Sequence, residues 1–103
     1  MKAQALSSDR KEARENQTPS SGLFFKVKKV LYEKRSKFQK IEIVQNDFYG
    51  RVLFLDGLVQ TTERDEFFYH EMLVEPALCS HPDPEKVLVI GGGDGGALRH
   101  VLK

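Results

Sequence analysis

The chain is 103 residues long, 40% hydrophobic and 30% charged, which excludes a collagen-like, membrane-spanning or disulfide-stapled chain and allows one modest globular domain. Sixteen Lys and Arg against fifteen Asp and Glu leave a net charge of +1, so no bulk charge draws it to nucleic acid or to a membrane surface, and neither is expected as a partner. The lone Cys79 cannot close an internal bridge, and residues 1–22 hold no apolar run of the kind a secretory leader needs; a reducing, cytoplasmic setting follows.

Residues 1–22 contain five apolar residues, none aromatic, and end in Thr18-Pro19-Ser20-Ser21-Gly22. They read as a disordered tail, with at most a transient polar helix around Ser8–Glu15. In Phe25-Lys26-Val27-Lys28 and Ile41-Glu42-Ile43 apolar residues alternate with charged ones, the period of strands that bury one face. Gln45–Gly50 and Asp56-Gly57 separate further apolar segments, and Asp-Gly is a strong two-residue hairpin signal. A small antiparallel meander is therefore predicted over residues 23–62.

Thr62 and Asp65 are spaced as a capping pair, so a helix is predicted to begin near Glu63, rich in apolar residues from Phe67 to Val74, and to kink or stop near Glu75 ahead of Pro76. After the His81-Pro82-Asp83-Pro84 loop, Val87-Leu88-Val89-Ile90 reads as a strand covered on both faces, and Ala97–Lys103 as the opening of a second helix. Cys79 reads as a small buried residue rather than a nucleophile. The fold class is α+β: a small β domain over 23–62, then a linking helix and the first strand, glycine loop and helix start of a nucleotide-binding α/β domain over 63–103.

The loop itself is Gly91-Gly92-Gly93-Asp94-Gly95-Gly96. Gly91, Gly93 and Gly96 satisfy G-x-G-x-x-G, while Ala97 after Gly96 rules out a Walker loop, which needs lysine there. Asp94 is unusual in such a loop, because a carboxylate repels pyrophosphate and offers a site to an ammonium or hydroxyl. It is also a residue type that caps helices, and the residues alone leave both roles open.

Four segments in order, Gly50-Arg51-Val52-Leu53-Phe54-Leu55-Asp56-Gly57, Gln60–Phe67, Tyr69-His70-Glu71-Met72 and Gly91–Gly96, give the chain a specific likeness. From Leu23 to Lys103 it resembles the spermidine synthases, the polyamine aminopropyltransferases. The resemblance implies an N-terminal β domain that mediates a dimer or tetramer, followed by a methyltransferase-like Rossmann domain. It also implies transfer of the aminopropyl group of decarboxylated S-adenosylmethionine to putrescine, giving spermidine and methylthioadenosine, with neither metal nor separate cofactor. Carried over residue by residue, it makes Gln39 and His70 contacts of the aminopropyl donor, Tyr69 a contact of putrescine, and Asp94 the carboxylate that holds the donor's terminal ammonium and repels the carboxylate of ordinary S-adenosylmethionine. Gly91, Gly92, Gly93, Gly95 and Gly96 form the loop beneath the donor. Without the resemblance, Gln39 reads as a solvated strand residue, Tyr69 as a core aromatic and His70 as a surface residue paired with Glu66 one turn earlier. Glu66 and Glu71 are assigned no role, and Gln60 only a supporting one.

By the same resemblance the ribose-binding acid and the general base lie beyond Lys103. The expectation is an incomplete piece of a longer enzyme, inactive by itself, since loss of the base typically costs 10² to 10⁴ in rate. The alternatives are spermine-type synthesis, amine N-methylation on the same scaffold, or a non-catalytic partner in a mixed oligomer. A nucleic-acid role for the basic stretch Lys26–Lys40 is disfavoured, because strand alternation spreads its charges over a solvated face.

Overall fold

A computed structural model describes residues 10–103. They form two compact units, divided between Arg64 and Asp65.

In the first unit, β1 (Glu12–Thr18) pairs with β2 (Ser21–Lys26) as a two-stranded hairpin. Strands β3 (Lys29–Arg35), β4 (Lys40–Asn46), β5 (Gly50–Leu55) and β6 (Leu58–Thr62) form an antiparallel sheet in sequential order. The predicted meander is thus present. Asp56 and Gly57, with φ of 52° and 78°, make the β5–β6 turn; positive φ at both central residues is the two-residue geometry that Asp-Gly accommodates. Asp56 also accepts the Lys40 backbone N–H at 2.8 Å, tying this turn to the start of β4. At the β4–β5 turn the Asn46 side-chain oxygen accepts the N–H groups of Phe48 and Tyr49 at 2.9 and 2.8 Å. The side chain thereby replaces backbone partners that a tight turn leaves unmade.

The core of this unit is Ala13, Val44, Val52 and Phe54, flanked by Phe25, Val27, Val30, Tyr49 and Val59. It corrects the expected tail. Residues 1–9 lie outside the described residues, but Glu12–Thr18 is a strand and Ser21 and Gly22 open β2. Composition missed it because β1 contributes one apolar side chain, Ala13; its partner supplies Phe25, whose ring meets Phe54 and Tyr49 edge to face at 5.9 and 5.5 Å.

A second correction concerns β4. Its buried face is Lys40, Glu42, Val44 and Asn46, while Ile41 and Ile43 lie on the opposite, half-buried face. There they stand across from Leu55 and Leu53 of β5, so both faces of the sheet carry apolar residues. Glu42 is buried because cations meet it: Lys40 Nζ at 3.0 Å and Arg10 at 3.3 Å, with Glu33 taking Lys40 at 3.4 Å. At the end of β6, Glu63 grips Arg51 in a bidentate pair and accepts its backbone N–H at 2.7 Å. The Arg51 side-chain hydrogen bond holds the Glu63 carboxyl below its ordinary range, and the same bond raises the guanidinium.

In the second unit, α1 (Glu66–Ser80) starts three residues later than predicted, since Thr62 belongs to β6 and Asp65 precedes the helix without a side-chain capping bond. It also continues through Pro76. A proline removes one donor and crowds the carbonyl one turn back, yet here the helix runs on to Ser80, whose Oγ donates to the Pro76 carbonyl in the last turn. Cys79, expected to be buried, is exposed. Val87–Ile90 is not a strand: no ladder forms there among the described residues, and Leu88 and Ile90 are 83% and 90% exposed. An extended segment becomes a strand only with a neighbour to pair with. The short helix α2 (Gly96–Val101) follows the glycine loop as expected. No helix among the described residues is long and apolar enough to cross a membrane.

Candidate functional site

The glycine loop begins with Gly91 and Gly92 at positive φ and closes with Gly95 at φ 78° immediately before α2; the Gly95 N–H donates to Gly92 O at 3.0 Å. Asp94 Oδ1 accepts the Gly96 N–H at 2.9 Å, an Asx turn that leads into α2, whose N-cap is Gly95. The same oxygen lies 3.6 Å from His70 Nε2. One Asp94 oxygen is thus held by the backbone, and Oδ2 makes no hydrogen bond to any described residue.

His70 is 4% exposed, not a surface residue. Its ring lies so close to Gly96 that a Cβ there would fall on the imidazole atoms. Glycine at this position is thus a matter of close approach rather than backbone freedom. The ring is fixed from the other side by Glu66, whose Oε2 meets His70 Nδ1 one turn earlier on α1. Glu66 Oε1 takes the Arg99 guanidinium from α2, and His100 Nε2 lies 3.9 Å from Oε2. His100 is itself buried, 3% exposed, and stacks on His70 with ring centroids 6.1 Å apart.

Tyr69, next to His70 on α1, is 67% exposed and touches the His70 ring edge to face at 5.2 Å. It is not the core aromatic that composition favours. Gln39 belongs to the sheet unit, in the β3–β4 turn rather than on a strand; its N–H donates to Ser36 Oγ at 3.1 Å and its carbonyl accepts the Ser36 N–H at 2.8 Å. The structure thus brings together His70, Tyr69, Asp94 and the glycine loop. Sequence reasoning missed Glu66, Arg99 and His100. The i, i+4 spacing of Glu66 and His70 was the available signal, but the contribution of α2 was not visible in it. Among the described residues no group of His, Cys, Asp or Glu is arranged to hold a metal ion.

A β unit followed by a glycine loop whose carboxylate faces a buried histidine is what the resemblance implies for the front part of a transferase with a methyltransferase-like domain. Two family models match the chain, the spermidine synthase tetramerisation domain over residues 13–63 and the spermine/spermidine synthase domain over residues 66–103. The chain belongs to the spermidine synthase family. It is 57% identical over 88 residues to the spermidine synthase of Schizosaccharomyces pombe and 51% identical over 89 residues to the polyamine aminopropyltransferase of Bacillus subtilis. These matches cover 85% and 86% of this chain but only 30% and 32% of those proteins. The crystal structure of spermidine synthase from Thermotoga maritima superposes with a TM-score of 0.87 at 45% identity, covering 99% of this chain and 36% of that one. A spermidine synthase in complex with the transition-state analogue AdoDATO matches equally well, with a TM-score of 0.87.

Proposed function

We propose that this chain forms the amino-terminal part of an enzyme that transfers the aminopropyl group of decarboxylated S-adenosylmethionine to putrescine, yielding spermidine and methylthioadenosine. The observation that carries this reading is Asp94, pinned by one oxygen at the head of α2 and placed 3.6 Å from His70 Nε2. The nitrogen lone pair of the acceptor attacks the carbon beside the sulfonium, the C–S bond breaks with its electron pair going to sulfur, and the new ammonium gives up a proton. Because the electrophile is already activated, the protein's task is to hold both reactants in line. Asp94 Oδ2 and His70 Nε2 take the terminal ammonium of the donor, and Tyr69 offers its ring and hydroxyl to the diamine. Donor choice rests on Asp94, which attracts the ammonium of the decarboxylated donor and repels the carboxylate of ordinary S-adenosylmethionine.

The protein works in the cytoplasm as a dimer or tetramer built through the sheet unit. The match to a tetramerisation domain and the apolar residues on both sheet faces support that assembly.

The test incubates the chain with putrescine and decarboxylated S-adenosylmethionine, with ordinary S-adenosylmethionine in parallel. Products are read by mass spectrometry, and donor binding by chemical-shift changes at His70 and Asp94. The expected result is shifts caused by the decarboxylated donor and lost in Asp94→Asn, with no methylated amine from either donor. Stronger binding of ordinary S-adenosylmethionine, or methylated amine as product, overturns the reading.

A further inference from the structure

His70 has two ring nitrogens with different surroundings, and one residue decides between them. Nδ1 faces the Glu66 carboxylate and Nε2 faces Asp94 Oδ1 at 3.6 Å. A carboxylate accepts hydrogen bonds and does not donate them when ionised. We infer that Glu66 is a positioning residue of this site, holding the His70 proton on Nδ1 so that the Nε2 lone pair and the Asp94 carboxylate converge as two acceptors for one ammonium. The inference rests on the proposed reading of His70 and Asp94 as the cation site and extends it to a residue that makes no contact there itself.

Three further features carry the argument. The Glu66 side chain is only 16% exposed, and its other oxygen is held by Arg99 from α2, so it is anchored at both ends. His100 Nε2 is buried without a hydrogen-bond partner among the described residues, 3.9 Å from the same carboxylate, and its ring stacks on His70. The absence of a side chain at Gly96 lets the His70 ring sit against the end of the glycine loop. Glu66 thereby couples the ring on α1 to the helix that opens two residues after Asp94. With the proton on Nε2 instead, His70 would donate to Asp94 and fill the carboxylate that the ammonium needs.

The tautomer is directly observable. Imidazole nitrogen shifts of the chain labelled with ¹⁵N-histidine are recorded where the signals are those of neutral rings, in the wild type and in Glu66→Gln, whose amide donates to Nδ1 in place of the carboxylate. The expected result is a protonated Nδ1 and bare Nε2 in the wild type, reversed in Glu66→Gln, with far-ultraviolet circular dichroism unchanged. A merely structural Glu66 would leave the tautomer where it was. A wild-type His70 protonated at Nε2 overturns the inference even if the variant fails to fold, and so does an unchanged tautomer in a folded variant. No substrate enters this measurement, so its failure is distinct from failure of donor binding at Asp94.

Discussion

Truncating Glu42 to alanine removes the centre of the buried ion network in the sheet unit. Its side chain is 6% exposed, and its partners Lys40 and Arg10 are 10% and 20% exposed. Removing one partner of a fully buried pair costs about 3–5 kcal/mol, because the remaining charge is left desolvated. Here the cost falls below that range, since Arg10 reaches some water and Lys40 keeps Glu33 at 3.4 Å; about 2–3 kcal/mol is expected. With a urea dependence of about 1 kcal/mol per molar for a unit of this size, the midpoint should fall by about 2–3 M. Urea unfolding followed by circular dichroism measures that shift, and a cycle with Lys40→Met isolates the pair. Sodium chloride raised to about 0.5 M should change the wild-type midpoint little, because a buried pair is weakly screened. A Glu42→Ala shift below about 0.5 kcal/mol, or a network that dissolves in salt, would refute the assignment of Glu42 to the core side of the sheet.

Phe54→Ala empties the largest fully buried side chain of the same core and should cost about 3–5 kcal/mol in urea unfolding; a loss under 1 kcal/mol would remove Phe54 from the core. Gly96→Ala should displace the His70 ring, visible as changed ring-proton shifts in a folded chain, and destabilise the helical unit by about 1–3 kcal/mol. For Glu63 the sign follows from its lowered folded pKa: the Arg51 pair stabilises fully above the unfolded carboxyl value of about 4.3 and fades as pH falls through the lower folded value. Glu63→Gln should therefore be less stable than the wild type at neutral pH and converge with it in acid, as acid titrations of both melting curves would show; parallel curves would contradict it.

Local chemistry was legible wherever a residue type admits few geometries. Asp56-Gly57 could be read as a hairpin because both residues tolerate positive φ, and the glycine loop because it opens a helix at Gly96. Tertiary effects were not legible. Alternation at Ile41-Glu42-Ile43 gives a correct strand with the wrong face inward, since Glu42 is buried against Lys40 on the same face and Arg10, 32 residues away. Strand β1 is polar and takes its place through one alanine and the aromatics of β2. Val87–Ile90 has a strand's composition but forms no ladder among the described residues. At the site, His70 and Asp94 came from motifs, whereas Glu66 looked like any solvent-facing helix acid until Arg99 and His100 met it across α2.

The order β3-β4-β5-β6 has a kinetic consequence. Every ladder in that sheet joins strands adjacent in sequence, so the loops to be closed are short and the relative contact order is low for a β structure. Folding should begin where closure is cheapest in entropy, at the two-residue Asp56-Gly57 turn, with the neighbouring strands adding outward. Substituting Gly57, held at φ 78° with open space around it, should then act on the transition state: Gly57→Ala, costing about 1 kcal/mol, slows refolding about fivefold and leaves unfolding nearly unchanged. A variant that instead accelerates unfolding would place the nucleus elsewhere in the sheet.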